Sequence, residues 1–367
     1  MKKLLSFALL ILFFAYAPLS MRAQEPTPSF FEAWEQLGKL ESYAMQQTFS
    51  GNIQFTGDSA VNEAISADFR INMSSRIKNK AIFESDSATE INGYLEVKYK
   101  SDGKNKPFDR VIANFQAQVV YLYNDGIYLK LDGVGIKTEG ISNTEQKDYE
   151  QFQIKLNKAA SEFKGKWLYL PMDDLKALSE NAGSDTLTNQ DLIIQQLKEE
   201  GLKATYKALL KSEIQKRIEE GEFTEDQAKM IEGFTNAIFD TEFFHAKVIT
   251  EGNNKGFTAF KTNKSAIIKL ARFISDKMGV NASQRDLIKI RNILNKFTLS
   301  GMYHIDDTHR IYDHLSLRFW MSNLEPMDRL EVSYRYKVSR INAAGDITKP
   351  TEFESILESD LLPMIQE

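Results

Sequence analysis

Apolar and charged residues alternate through residues 328–342, which read DRLEVSYRYKVSRIN. Leu330, Val332, Tyr334, Tyr336 and Val338 share one parity, while charged and polar residues hold the other. A period of two predicts a β-strand with one apolar face and one polar face. Such a strand is typical of an antiparallel sheet that has one face covered by other elements and the other face exposed to solvent.

The first third of the chain repeats this alternation and predicts a meander of six strands. Turn-forming stretches separate the runs, and the strongest is Asn-Asp-Gly at 124–126, which predicts a hairpin. Near the end of the fifth run Val120 and Leu122 make the second parity apolar too, so we expect that end to be covered on both sides. The predicted strands are 49–56, 65–73, 80–86, 91–99, 111–123 and 127–131, with a turn at 76–79.

Helical periodicity takes over elsewhere. A helix over 30–45, capped by Ser29 and Glu32, is expected to pack on the sheet. Further helices are predicted at 172–182, 189–240, 265–278, 284–297 and 353–361. Further strands are expected at 166–171, in a hairpin over 244–262, and at 298–305, 310–321 and 328–342. Strands and helices segregated in this way predict an α+β fold.

The N-terminus predicts export. Lys2 and Lys3 precede an apolar run of 14 residues, which is too short for a comfortable membrane span, and cleavage is expected after Ala23, so that 1–23 is the signal peptide. Met21 at the −3 position leaves an uncleaved anchor as the alternative. No cysteine follows the run, which excludes lipid attachment of the bacterial lipoprotein type. We expect a protein of the periplasm or the medium that does not span the membrane after cleavage.

Composition narrows the function classes. The chain has 367 residues, a net charge of −5 and no cysteine, so its core must hold it together without disulfides. The charges are mixed in sign, which argues against a nucleic-acid partner. Neither a Gly-x-Ser-x-Gly elbow nor a Gly-rich phosphate loop occurs. We therefore expect neither an enzyme nor a cofactor.

Three histidines raise the question of a metal, since His304, His309 and His314 lie within eleven residues. A two-residue turn at 306–307 would bring His304 opposite His309, and the pair could bind zinc. A four-residue turn at 306–309 would separate them. We favour ordinary surface histidines and predict neither a metal site nor a catalytic site.

The apolar parity of the strands is the candidate binding site. It has two interpretations, a core sealed by helices or a half-open cavity for an acyl chain. Burying each methylene of such a chain would contribute about 0.8 kcal/mol. The candidate ligand-binding residues are Phe49, Ile53, Phe55, Phe69, Ile71, Leu95, Val97, Phe115, Val119, Leu315, Leu317, Phe319, Val332, Tyr334 and Tyr336.

Four stretches carry a family resemblance: 49–53 (FSGNI), 126–131 (GIYLKL), 165–170 (GKWLYL) and 300–319. Their strand pattern resembles that of the LolA-like lipoprotein carriers and the related LppX-type lipid carriers. The resemblance implies a curved antiparallel sheet, an open half-barrel, whose concave face is covered by helices and binds acyl chains. On this basis we expect residues 24–367 to form one half-barrel domain, with a helical insertion at about 189–240 that is long for the family.

The expected function is non-enzymatic binding or shuttling of a lipid, an acyl chain or a lipidated protein in the cell envelope, where another envelope protein is a further expected partner. The alternative is a structural or interaction protein of the envelope whose cavity is filled by its own side chains. An enzyme that uses the region 304–314 is a third hypothesis.

Overall fold

The computed structural model describes residues 30–56, 63–81, 84–101, 109–140, 161–174, 243–277, 284–324 and 327–356, together with positions 151, 154, 158, 215, 224 and 233. The predicted signal, 1–23, lies outside the described residues, as does the predicted helical insertion apart from three single positions. No helix within the described ranges is long and apolar enough to span a membrane.

The described ranges contain twelve strands and three helices of ten residues or more. In chain order they are α1 (Phe30–Lys39), β1 (Ser42–Thr56), β2 (Glu63–Ala81), β3 (Glu84–Ser101), β4 (Arg110–Leu122), β5 (Gly126–Glu139), β6 (Trp167–Pro171), β7 (Phe244–Val248), β8 (Thr258–Thr262), α2 (Lys264–Lys277), α3 (Gln284–Asn295), β9 (Phe297–Asp306), β10 (Ile311–Leu324), β11 (Met327–Ser339) and β12 (Glu354–Ser355).

The chain divides into two compact units. The smaller contains Met1–Leu37 and Gln190–Asp313, and the larger contains Gly38–Asn189 and His314–Glu367. The single domain expected over 24–367 stays a prediction.

The larger unit is an antiparallel sheet, which confirms this part of the predicted fold. Its strand order is β12-β6-β5-β4-β3-β2-β1-β11-β10. All neighbouring pairs in this order are antiparallel except β12 with β6, which pair in parallel over two residues. The described residues do not show helices covering one face of this sheet. The curved half-barrel and its covering helices therefore stay predictions.

The smaller unit confirms the predicted hairpin and the two helices that follow it. β7 pairs with β8, and β8 with β9, both antiparallel. The Thr262 hydroxyl donates to the Leu299 carbonyl and accepts from the Leu299 amide, at 2.8 and 3.0 Å, so a buried polar side chain is satisfied between two strands. The Asn263 side chain accepts from the Ala266 amide at 3.1 Å and caps the start of α2.

The pairing of β1 with β11 joins the first meander to the last strands of the chain. Twelve Cα pairs form this ladder, from Ala44 with Ser339 to Phe55 with Met327. β1 is also paired along its whole length with β2. The alternation along the sequence indicates that both segments are strands, but it contains no signal for this partnership.

Several predicted elements were wrong in extent or type, and the strand predicted at 127–131 runs from Gly126 to Glu139. The helix predicted over 30–45 ends at Lys39, because Tyr43 and Met45 continue the apolar parity of β1. The turn predicted at 76–79 does not form, since β2 runs on to Ala81, and the meander therefore has five strands. At the start of the predicted helix 353–361, Glu354 and Ser355 pair with β6 instead; positions from 357 lie outside the described residues.

The C-terminal segment, residues 340–356, crosses the polar face of the sheet near its end. It begins at β1, where the Asn342 amide donates to the Ser42 carbonyl at 2.6 Å. It passes β2 through an ion pair of 2.7 Å between Lys78 and Asp346. It reaches β6, where the Ile356 amide donates to the Tyr169 carbonyl at 2.9 Å.

This segment covers the doubly apolar end of β4. Val120 lies opposite Tyr128 in the register, Tyr128 lies opposite Tyr169, and Val120 and Tyr128 are buried. The Phe353 ring packs edge-on against Tyr128 with 5.2 Å between ring centres. On the second parity Val120 is buried as predicted, whereas Leu122 and, on the first parity, Val119 are half-buried.

An ion pair fixes the segment over these rings. The Lys349 ammonium lies 3.0 Å from Asp125 Oδ2 and 5.4 to 5.7 Å from the centres of the Tyr128, Tyr169 and Phe353 rings. The two tyrosine hydroxyls donate to the same carboxylate at 2.9 and 3.0 Å. Although burial acts to raise it, the hydrogen bonds from Lys349 and the tyrosines hold the pKa of Asp125 below its usual value.

The Asp125 carboxylate is expected to make stability depend on acid pH. Its pKa is lower in the folded than in the unfolded protein, so its contribution is complete above the unfolded pKa of about 4 and is lost as the pH falls through the folded value. We expect the urea midpoint of the wild type to fall more steeply between about pH 5 and pH 3 than that of Asp125→Asn.

The matched control is Asp346→Asn, which removes the exposed partner of Lys78. Exposed pairs contribute little, so this variant should follow the wild-type profile closely. Identical pH profiles for wild type and Asp125→Asn would contradict the role given to this cluster.

Candidate functional site: the apolar face of the sheet

All fifteen candidate residues lie on one face of the larger unit's sheet. Residues that are Cα partners in neighbouring strands point to the same side of a sheet. Phe49 is the partner of both Ile71 and Tyr334, and Tyr334 is also the partner of Leu317. The same parity continues through β3, β4 and β5. We call this surface the apolar face; whether it binds a ligand stays a prediction.

Two glycines let aromatic rings lie against the backbone on this face. A Cβ built on Gly51 would come within 2.7 Å of the Phe69 ring and 2.6 Å of the Glu331 carbonyl oxygen. A Cβ on Gly93 would overlap the Phe115 ring. Since neither glycine has a side chain beneath the ring, each ring lies directly on the backbone, and the surface of the sheet is apolar at these points.

Aromatic contacts extend this layer along β1, β2 and β11. The Phe49 and Phe69 rings lie 5.1 Å apart between centres, and those of Tyr334 and Tyr336 lie 6.1 Å apart. The Tyr334 hydroxyl donates to the Gln47 side chain at 2.9 Å. Burial raises the pKa of Tyr334, so this hydroxyl stays protonated and its ring acts as apolar surface at neutral pH.

The apolar face has a packed part and an open part. On β10, Leu315 and Phe319 are only 6% and 2% exposed. On β2, β3 and β4, Ile65, Leu95 and Phe115 are 38%, 41% and 38% exposed. Large apolar side chains left open on three successive strands mark a surface where an apolar partner gains by docking. The packed part of the face therefore fits a sealed core, and the open part fits a binding surface.

The polar face contains features that the sequence did not single out. Glu96 accepts a hydrogen bond of 2.9 Å from the Tyr94 hydroxyl and forms ion pairs with Lys98 and Arg110, which together lower its pKa although burial acts to raise it. A cavity of about 550 Å³ lies nearby, and its wall is formed by residues of β1, β2, β3 and β11. A strand face with charged residues is typical of a solvent-exposed surface, so the sequence gives no signal for this cavity. Only the three-dimensional arrangement shows it.

The turn has four residues, as in the second alternative, but it lies at 307–310, one residue later than predicted. β9 ends at Asp306 and β10 begins at Ile311. The Asp306 carboxylate lies 2.9 Å from His309 Nδ1, whereas His304 Nδ1 lies 2.7 Å from Asp313. His304 and His309 each have a carboxylate of their own, so the zinc pair that a two-residue turn would have made does not form.

Truncations at the two parts of the face should differ in their cost. Phe319→Ala is expected to lower the free energy of unfolding by about 3 to 5 kcal/mol, because it empties a buried site. Phe115→Ala should cost less than about 2 kcal/mol, because much of this ring is already in water. Urea denaturation of both variants measures the difference, and equal losses would show that the open part is packed as firmly as the core.

Comparison with known proteins does not assign the chain to a family. No protein-family model matches the chain, and no curated protein matches its sequence. The resemblance to LolA-like and LppX-type carriers stays a prediction that rests on the strand pattern.

Proposed function

We propose that this protein is a non-enzymatic exported binding protein that binds or shuttles a lipid, an acyl chain or a lipidated protein in the cell envelope. The apolar face is its binding surface, on the concave side of a half-barrel covered by helices. The observation that carries the proposal is the open row of Ile65, Leu95 and Phe115 beside the ring-covered glycines.

The energetics of such a face suit an acyl chain. Each methylene taken out of water contributes about 0.8 kcal/mol, so a stretch of eight gains on the order of 6 kcal/mol before the costs of association. An aromatic and aliphatic surface suits a ligand that is recognised through its hydrocarbon part. An exported carrier also fits a water-filled compartment that free lipid crosses poorly.

The packed part of the face supports a second candidate. Leu315 and Phe319 are buried as in an ordinary core. If the whole face is closed in the same way, the protein is a structural or interaction protein of the envelope and has no ligand. Lipid content separates the two candidates.

The test uses the mature chain from Gln24 and two charge variants on neighbouring residues of β4. Phe115→Glu introduces a carboxylate on the apolar face. Gln116→Glu introduces the same charge at an exposed position on the opposite face. We expect the wild type and Gln116→Glu to carry an acyl species in near-stoichiometric amount, measured by native mass spectrometry and lipid extraction. Phe115→Glu should lose at least about tenfold in affinity for a fluorescent fatty acid, since a buried charge is costly.

Thermal melts of both variants serve as folding controls. A wild-type protein that is free of lipid and also excludes the fluorescent fatty acid would reject the carrier and favour the structural candidate. Equal losses of binding in folded Phe115→Glu and Gln116→Glu would move the binding site away from the apolar face.

A further inference from the structure

The polar face of the sheet carries a cavity that the lipid proposal does not use. Its volume is about 550 Å³, and its wall is formed by residues of β1, β2, β3 and β11. In the register Arg70 is opposite Ser50, and Ser50 is opposite Ser333. In the next row on the same face Thr48 lies opposite Arg335. Two arginines therefore stand at diagonal corners of a patch of hydroxyl groups.

The acidic groups at this cavity already have partners. The two carboxylate oxygens of Glu331 accept from Arg318 and Arg329, each at 2.8 Å. Asp68 Oδ1 accepts from the Asn52 amide at 2.7 Å. Neither carboxylate forms an ion pair with the arginines at the corners of the patch, as judged over the described residues.

Most of the N–H donors of the two corner arginines make no hydrogen bond to another described residue. Arg70 donates through Nε to the Asn72 side chain at 3.2 Å, which leaves its terminal amino groups. Arg335 makes no ion pair or side-chain hydrogen bond to any described residue and lines the cavity with its charge uncompensated. The cavity lining contains two arginines and two carboxylates, and one of these carboxylates, Glu331, is already neutralised by Arg318 and Arg329 beside the cavity.

The hydroxyl groups add to this surplus of donors. The Ser50 and Ser333 oxygens lie 2.9 Å apart, and one proton suffices for the bond between them. The proton of the other hydroxyl is left to donate into the cavity. A site with more donors than acceptors and with two guanidinium groups matches an oxyanion, which arginine binds with paired hydrogen bonds.

Asn52, which is part of the cavity wall, indicates what the rest of the ligand contains. Asn52 Oδ1 is buried and has no hydrogen-bond donor within the described part of the structure. A buried acceptor without a donor is costly, and a hydroxyl group of a ligand would satisfy it. Inorganic phosphate and a phosphorylated polyol both offer oxyanion oxygens, but only the polyol also offers an alcohol donor.

We propose that this cavity binds the phosphate ester of a polyol, with Arg70 and Arg335 holding the phosphate and Asn52 accepting from a hydroxyl of the polyol. The ester could be a free small molecule or the headgroup of a phospholipid, since both present the same chemistry. Gly51 and Phe69 of the apolar face also contribute to the cavity wall, but Arg70, Arg335 and Asn52 are not part of that face, so the variants that test this proposal do not test the lipid-carrier proposal.

The test is a calorimetric titration of the mature chain with glycerol phosphate and with inorganic phosphate. Arg335→Gln and Arg70→Gln remove the two corner charges. Lys337→Gln is the matched control, because Lys337 is exposed on the same face of β11, two residues from Arg335, and does not line the cavity. We expect one site per chain for glycerol phosphate, a loss of at least about tenfold in each arginine variant, and a change of less than about twofold in Lys337→Gln. Asn52→Leu should reduce the affinity for glycerol phosphate more than that for inorganic phosphate.

Flotation with vesicles separates the two sources of the ester. Binding to phosphatidylglycerol vesicles but not to phosphatidylcholine vesicles, abolished in Arg335→Gln, assigns the site to a headgroup. Saturation by soluble glycerol phosphate without vesicle binding assigns it to a free ester. The proposal is overturned if neither vesicles nor glycerol phosphate at about 10 mM bind the wild type, since even a site of millimolar affinity would then be filled. Equal losses in Lys337→Gln and Arg335→Gln would also overturn it, by showing general charge attraction.

Discussion

The larger unit depends on the antiparallel ladder between β1 and β11. Ser50 and Ser333, which meet in this ladder, are 283 positions apart in the chain. Without these twelve pairs the strands from β1 to β6 and the pair β10–β11 would be separate pieces, each with an unpaired edge. Closing so long a loop costs entropy before any contact is gained, so this pairing is expected to form late and to limit the rate of folding.

The ladder also creates both candidate sites. On one side of the sheet it places Phe49 next to Tyr334, which makes the apolar face continuous from β10 to β5. On the other side it places Ser50 next to Ser333 and Thr48 next to Arg335, which forms the floor of the polar cavity. Because side chains alternate between faces, one register decides both surfaces, and a slip of one residue would exchange them.

Much of the sheet could be predicted from the sequence because alternation is local information. Each of the fifteen candidate residues has the parity that puts it on the apolar face, and the hairpin at Asn124 forms with a positive φ of 67° at that residue. The partner of each strand is not local information when the strands are far apart in the chain. The β1–β11 ladder and the crossing of the C-terminal segment over β4 and β5 therefore had no signal that a period of two could provide.

The errors at the end of β2 have a physical cause as well. Residues 76–80 read RIKNK, and four of these five residues are polar, which is typical of a turn. In the structure these side chains have partners that the local sequence does not reveal: Lys78 pairs with Asp346 of the C-terminal segment, and Lys80 pairs with Asp86 across the hairpin at 2.9 Å. Because distant groups pair with its polar side chains, this part of β2 can be a strand although its composition is typical of a loop.

The polar cavity shows why charged positions are harder to interpret from sequence than apolar ones. Arg318 on β10 and Arg329 and Arg335 on β11 all lie on the polar face of the sheet. Two of them share Glu331 as an ion-pair partner, whereas Arg335 has no such partner in the described structure. The Arg329–Glu331 pair lies within β11, whereas the Arg318–Glu331 pair depends on the register of β10 with β11. The polar cavity also constrains any lipid ligand, because the sheet separates Arg335 from the apolar face. An acyl chain lying between Leu95 and Phe115 cannot place its own headgroup on Arg70 and Arg335 through the sheet. The two proposals together therefore require different molecules, or different parts of one molecule that passes around an edge.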